Sequence, residues 1–258
     1  MTEQRERRPR WWLRILWIVV ILAVLAGAGE IALRAILPGM ISTAVRQPLE
    51  LSSDHPVDVQ LDGSVLLHTI TGKLGDVTVT VPDAPLVEGL QGDLTVHADS
   101  APFSLISGSG EVQGATASIT VPKDKIDQTI SLLTKGIAQT GTVREGAIDV
   151  GRSMEIFGQK VSLSATLKLG VEKGDVKITP AGVKAAGFDL TAKQIESFGG
   201  PAVRALTQPQ TVCVRDQLPR GIELTGIQLS STGSVRVDAK ISPTLVSDPK
   251  QREKGSCG

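Results

Sequence analysis

The sequence predicts an α+β protein, mostly β, in which antiparallel strands follow an N-terminal transmembrane helix. Three observations predict this class. Apolar and polar residues alternate in many short segments after residue 56, turn sequences separate these segments, and an uncharged apolar run occupies residues 15–28. The clearest alternation is VSLSATLKL at 161–169. Because successive side chains of a strand point to opposite faces, this segment has one apolar face and one polar face.

The first predicted element is a transmembrane helix over residues 11–37. Trp11 and Trp12 precede its uncharged run and Trp17 lies near the start of the run, and tryptophans at these positions are typical of a membrane–water interface. Several arginines precede it, so we expect residues 1–10 to be a cytoplasmic basic tail. The chain is then a single-pass protein of the cell membrane, with its C-terminal domain on the extracytoplasmic side (periplasm or cell wall).

The end of this helix has two interpretations. Apolar residues continue to Leu37, and Pro38-Gly39 is expected to stop the helix there. We favour an uncleaved anchor of this kind. Ala26-Gly27-Ala28 also resembles a signal-peptide cleavage site, and cleavage after Ala28 would release the domain.

The body of the chain is predicted to be a β-rich domain over residues 57–245, preceded by a linker at 38–56. Asp62-Gly63 and Lys173-Gly174-Asp175 are examples of the short turns that indicate antiparallel neighbours. The alternating segments predict strands at 57–61, 77–81, 94–98, 115–121, 147–150, 161–169, 176–178, 222–229 and 235–241.

Two amphipathic helices are expected to interrupt the strands. The first is PKDKIDQTISLLTKGI at 122–137, which has Pro122 and Asp124 in its first turn and Gly136 near its end. The second, at roughly 191–207, is broken by Gly199-Gly200-Pro201. Both helices should lie on the apolar face of a sheet.

The chain has two cysteines, Cys213 and Cys257, and an even number in an exported protein indicates a disulfide. With only two, the pairing is unambiguous if the bond forms; the alternative is two free thiols. The bond would tether the polar tail at 246–258 to the domain.

Composition and motifs exclude several functions. Residues 39–258 carry a net charge of about −3, which does not suit binding to nucleic acid by phosphate neutralisation. The sequence has no nucleophile elbow, no dinucleotide fingerprint, no P-loop and no zinc-ligand spacing. We therefore expect no enzyme activity, no metal and no cofactor, although an enzyme of envelope polysaccharide metabolism remains an alternative hypothesis.

Two groups of residues carry a resemblance to a known family. Leu66-Leu67 precedes Thr71-Gly72-Lys73-Leu74 and a Val-x-Val strand, and Leu218-Pro219-x-Gly221-Ile222 precedes a glycine-centred hairpin. In this order the chain, over roughly residues 40 to 245, resembles the exported domain-of-unknown-function family that includes the mannan chain length control protein LmeA.

The resemblance implies a fold, a ligand and a role. Members look like the tubular lipid-binding superfamily, in which a long curved antiparallel sheet wraps around an amphipathic helix and encloses an apolar groove. The implied ligand is a phospholipid or another acyl-chain lipid, and the implied role is support of lipoglycan (mannan) assembly in the envelope. The family carries no catalytic motif over to this chain.

If a lipid binds, the apolar faces of the first helix and of the 161–169 strand are the candidate contacts. The eight residues are Ile126, Ile130, Leu133, Ile137, Val161, Leu163, Leu167 and Leu169. Lys123, Lys125 and Lys135 are candidates for a lipid head group, with a solvated helix face as the alternative. A non-catalytic scaffold with a filled core is the competing function, and the sequence identifies no protein partner.

Overall fold

The computed structural model describes residues 11–47, 49–87, 89–104, 109–144, 146–156, 159–185, 188–191, 194 and 208–257. It confirms the predicted class, α+β with mostly antiparallel strands after a long apolar helix. The helices are α1 (Trp11–Arg46), α2 (Val65–Ile70), α3 (Ile126–Leu133) and α4 (Pro249–Arg252). The strands are β1 (Asp58–Leu61), β2 (Lys73–Leu74), β3 (Val77–Val87), β4 (Leu90–Ala98), β5 (Ala101–Pro102), β6 (Thr116–Val121), β7 (Thr140–Arg144), β8 (Ala147–Ile156), β9 (Gln159–Glu172), β10 (Asp175–Ala185), β11 (Phe188–Thr191), β12 (Gln210–Val212), β13 (Ile222–Leu229) and β14 (Val235–Ile241).

The strands form two large antiparallel sheets and one small one. The first large sheet has the order β1-β3-β4-β6-β14-β13, and the second has the order β11-β10-β9-β8-β7. Strand β12 also pairs with β10, at Val176–Ile178, beyond the segment that β11 occupies. β2 and β5 form a separate pair. The tubular shape implied by the family resemblance stays a prediction.

Helix α1 runs 36 residues without a break at Pro38, so the predicted end at Leu37 is wrong. A proline inside a helix costs about 3 kcal/mol. Leu33, Leu37, Ile41 and Val45 lie four residues apart, and all pack in the first core. Full burial of such a side chain contributes about 1.5–3 kcal/mol, so the partial burial of Ile41 and Val45, which follow Pro38, offsets much of the proline cost. The helix therefore continues into the segment that the sequence assigns to a linker.

The N-terminal half of α1 differs from its C-terminal half in exposure. From Leu16 to Leu25 every large apolar side chain is exposed, including Trp17 at 65%. Leu37, in the other half, is only 6% exposed. The helix is long and apolar enough to cross a membrane, and a signal sequence would also meet this criterion. The predicted basic tail at 1–10 lies outside the described residues.

Glu30, between the two halves, fixes α2 to α1. Its carboxylate accepts hydrogen bonds from the backbone N–H groups of Val65 at 2.9 Å and Leu66 at 2.7 Å, and from the Ser64 hydroxyl at 3.1 Å. Arg34 donates from Nε to the same carboxylate at 2.8 Å. The first N–H groups of a helix have no partner within it, so Glu30 satisfies donors that α2 otherwise leaves unpaired.

The first core forms where α1 and α2 meet the first sheet. Its buried members include Leu37 of α1, Val65 of α2, Val81 of β3 at 1% exposure and Ala84. Partly buried residues from β1 complete it. The first sheet therefore uses the C-terminal half of α1 to cover its apolar face.

The second core joins the two sheets through α3. Ile126 of α3, at 2% exposure, packs with Val121 of β6 and with Val143 and Ile148 of the second sheet. Gly141 permits this approach, because a Cβ there would lie 2.7 Å from Ile126 Cγ2 and 2.8 Å from Ile130 Cγ1.

The first predicted amphipathic helix is shorter than the sequence indicates. A 3₁₀ turn covers Lys123–Lys125, and α3 then ends at Leu133. Lys135 and Gly136 both have positive φ, at 51° and 79°, and the Gly136 N–H bonds to the Ser131 carbonyl at 2.7 Å. This left-handed turn ends the helix, so Ile137 is not on the helical stripe. The second predicted helix, 191–207, lies outside the described residues except for Thr191, which ends β11, and Gln194.

Cys213 and Cys257 form a disulfide, which confirms the predicted pairing. The tail is also held by its backbone. The Gly255 N–H donates to the Leu218 carbonyl at 3.0 Å, and the Arg220 N–H donates to the Glu253 carbonyl at 2.9 Å. The tail therefore lies against the segment that leads into β13.

We predict that the double variant Cys213→Ser/Cys257→Ser loses up to about 4 kcal/mol of unfolding free energy, because the bond closes a long loop. Urea unfolding of the full chain in detergent, followed by circular dichroism, measures the loss. Reductant should cause the same loss in the wild-type protein and none in the variant. An unchanged unfolding midpoint after reduction would contradict this role.

Candidate functional site

The apolar face of β9 is only partly covered, although β9 lies inside its sheet. β8 pairs along one edge and β10 along the other. In a filled core, an interior strand has fully buried side chains on its inner face. Yet none of residues 162–172 is fully buried, and Leu163, Leu167 and Leu169 all keep intermediate exposure. This face therefore offers apolar surface to a further molecule.

The eight predicted contacts divide into three sets. Ile126, Ile130, Leu167 and Leu169 come together in the second core. Leu163 lies further along β9, where it pairs with Arg152 and Ala185 in the backbone register. The backbone of Val161 pairs with Met154, but its side chain lies outside the described features.

Leu133 and Ile137 are the third set, and the structure leaves them exposed. Their exposed fractions are 65% and 71%, and the neighbouring Leu132 has 41%. Leu132 was not among the predicted contacts. It lies beside the turn between β3 and β4, within van der Waals reach of a Cβ at Gly89. Three exposed apolar side chains thus lie within six residues, at the end of α3 and just after it.

A charged cleft of about 390 Å³ lies between the β9–β10 turn and the start of β13. Lys173, Arg215 and Arg220 give it positive charge, and Glu223 gives it negative charge. Lys173 and Gly174 form the two-residue turn and both have positive φ, at 53° and 80°. This turn geometry matches the twist of the hairpin and places Lys173 at the cleft.

The arginines of the cleft differ in how strongly they are paired. Arg215 donates from Nε to the Asp175 carboxylate at 3.1 Å, and its Nη2 lies 3.0 Å from the other oxygen. Asp175 is buried, at 7% exposure, so this bidentate pair is a fixed part of the fold. Arg220 is 3.9 Å from Glu253, and both are more than half exposed, which makes a weak pair. Lys173 and Arg220 are therefore the cations best placed for an anionic ligand.

The head-group lysines suggested by the sequence lie elsewhere. Lys125 Nζ contacts the Asp83 carboxylate, and its charge is already compensated. The stem of Lys123 packs at the β13–β14 turn, where a Cβ on Gly233 would lie 2.9 Å from Lys123 Cδ. Among the described residues, no group of three His, Cys, Asp or Glu side chains is placed to hold a metal ion.

Sequence reasoning missed the cleft because its parts are distant along the chain. Lys173 is in a hairpin turn, Arg215 and Arg220 follow Cys213, and Gly255 and Ser256 precede Cys257. The predicted disulfide could have indicated the cleft, since it brings the tail and the segment after Cys213 together.

A partly open apolar strand face and a separate basic cleft are features of a protein that binds an amphipathic ligand. The sequence model of the LmeA-like phospholipid-binding family matches residues 28–239. The chain belongs to this family, which confirms the resemblance read from the sequence and supports a phospholipid as its ligand. Comparisons with curated proteins and with solved structures find no significant match.

We predict that Gly141→Ala lowers the unfolding free energy by about 1–3 kcal/mol, because the new methyl group overpacks the contact between α3 and β7. Gly170→Ala is the matched control, since a Cβ at Gly170 meets nothing within 4 Å. The control should unfold at the wild-type temperature or slightly above it. Equal melting temperatures for the two variants would show that α3 does not pack through Gly141.

Proposed function

We propose that the chain is a membrane-anchored, extracytoplasmic lipid-binding or lipid-transfer protein of the cell envelope, without catalytic activity. The observation that carries the proposal is the partly exposed apolar face of β9 inside the second sheet. Apolar surface gains about 25 cal/mol for each Å² removed from water, so an acyl chain laid on this face binds without polar contacts. Membership in a phospholipid-binding family supports the same ligand.

The acyl chain is proposed to contact β9 and the end of α3. On β9, the proposed contacts are Leu163, Leu167 and Leu169. At the end of α3 and just after it, they are Leu132, Leu133 and Ile137. The buried Ile126 and Ile130 support these residues from the core and are proposed to touch lipid only at their exposed edges.

The head group is proposed to bind at Lys173 and Arg220. Lys173 follows Leu169 by four residues, which is about 13 Å along an extended chain. A phosphate in the cleft and an acyl chain on β9 therefore lie within the reach of one phospholipid. Arginine and lysine are the usual partners of phosphate oxygens.

The anchor is proposed to be the N-terminal half of α1, with the N-terminus in the cytoplasm. The exposed apolar side chains from Leu16 to Leu25 and the arginines before them support this topology. We also propose that the protein supports lipoglycan (mannan) assembly, which is the role that the family resemblance implies. A non-catalytic scaffold is the second candidate, favoured by the packing of Ile126 and Ile130 in a core cluster.

Photo-crosslinking of the full chain tests the proposal. The protein is reconstituted in vesicles that contain a phospholipid with a diazirine in its acyl chain, and labelled peptides are identified by mass spectrometry. We expect labels within 126–137 and 159–172, in addition to the α1 segment. Leu163→Gln should lower the β9 label several-fold, whereas Lys168→Gln, on the opposite face of the strand, should not.

Labels confined to α1 would overturn lipid binding by the domain and favour the scaffold. Labels on the two domain segments without any on α1 would support lipid binding but contradict the anchor. A form that begins at residue 39 is unsuitable for this test, because it lacks Leu33 and Leu37 of the first core.

We predict that Lys173→Gln/Arg220→Gln weakens the preference for anionic over zwitterionic phospholipid without lowering total acyl labelling. Removing two cations takes away the charge attraction and leaves the apolar contacts unchanged. Competition between the diazirine lipid and unlabelled anionic lipid measures the preference. Lys168→Gln, also exposed, is the control for loss of a lysine, and an unchanged preference in the double variant would remove the cleft from the site.

A further inference from the structure

Helix α2 has one buried and one exposed apolar side. Val65 is 3% exposed and belongs to the first core. Leu67 and Ile70 are 64% and 75% exposed. They lie three residues apart and therefore share one face of the helix. Two large aliphatic side chains on a single exposed turn indicate a surface that another apolar medium covers.

The contacts of α2 place this face beside the end of the exposed half of α1. Glu30 binds the N–H groups of Val65 and Leu66. One residue earlier, a Cβ on Gly29 would lie 3.6 Å from Leu66 Cδ1. From Trp11 to Gly29 the helix rises about 27 Å, close to the thickness of a bilayer's hydrocarbon core. The position of α2 along α1 thus matches the level at which the proposed span leaves the membrane.

The exposed apolar and basic side chains near α2 are also those expected where a helix leaves a membrane. Ile31, on α1, is 72% exposed, so apolar surface continues from the span to the level of α2. Arg34 is half exposed and donates to the Gly63 carbonyl at 2.5 Å, and Lys73 follows α2 at an exposed position. Basic side chains next to apolar ones are typical of segments that lie in an anionic membrane interface.

We propose that α2 is a membrane-docking element: Leu67 and Ile70 insert into the interface of the bilayer that α1 crosses, and Glu30 holds α2 at that depth. The proposal rests on the membrane anchor of the proposed function. The occupant is the lipid surface, because the exposed face is continuous with the apolar half of α1. Docking at a second point restricts rotation of the domain about α1 and fixes its orientation to the membrane.

Depth-dependent fluorescence quenching in full-length protein tests this element. Trp11, Trp12 and Trp17 are replaced by Phe, and tryptophan is introduced by Leu67→Trp or, in a second variant, by Ile70→Trp. Val212→Trp in the same background is the control, since Val212 is exposed on β12. A fourth form keeps Trp17 alone and reports on α1. All forms are reconstituted in vesicles with phospholipids brominated near the head-group end of the acyl chain, and their melting curves are compared with wild type.

We expect the tryptophans at positions 67 and 70 to emit at shorter wavelength than the one at 212 and to lose most of their intensity to bromine. Trp17 should also be quenched, and the control should not. Quenching of Trp17 without quenching at 67 and 70 would overturn the docking proposal and leave the anchor standing. A blue shift at 67 without quenching would mean that protein, including a second copy of the chain, covers α2, which also overturns the proposal. Absence of quenching at Trp17 would overturn the anchor, and the docking proposal with it.

Discussion

The rest of the structure depends on the burial of the C-terminal half of α1 against the first sheet. Leu33, Leu37, Ile41 and Val45 supply one wall of the first core, and β1 and β3 supply the other. Without this helix, the apolar face around Val81 would be open to water. The same helix carries the exposed apolar segment at its other end, so a single rigid element connects the proposed anchor directly to the core. Glu30 adds α2 to this junction and gives the domain a defined attachment.

The two cores differ in how completely their apolar side chains are covered. The first is closed by α1, and its β3 residues reach 8% exposure or less at Val77, Val79 and Val81. Among the described residues, the second is closed by α3, which is eight residues long, and by Val121, Leu229 and Val235 of the first sheet. Over residues 162–172, none of the side chains of β9 is fully buried, and its apolar face stays partly exposed. This difference between a closed and a partly open core is the reason that the lipid-binding surface is proposed at β9 rather than at the first core.

Individual elements show which parts of the fold the sequence predicts and which parts it does not. Each of the nine segments with alternating apolar and polar residues is a strand in the structure, because a period of two is a local property of an extended chain. Five described strands of two to five residues were not predicted: β2, β5, β7, β11 and β12. The helix end expected at Pro38 was wrong, because the rule that proline stops a helix takes no account of Ile41 and Val45, which follow it and pack in the first core. Leu133 and Ile137 shared a predicted stripe with Ile126, but the positive φ of Lys135 and Gly136 ended the helix between them.

The sequence by itself determined nine of the strands, the long apolar helix, the disulfide pairing and the family, because each follows from local pattern, residue type or order along the chain. Only the tertiary structure decided which apolar residues are core and which are exposed, because β9, α2 and α3 have similar residue types but different neighbours. It alone assembled the cleft of Lys173, Arg215 and Arg220, whose members are up to 47 residues apart. It also decided that the second half of α1 belongs to the first core, since the apolar face that covers this half exists only once β1 and β3 pair.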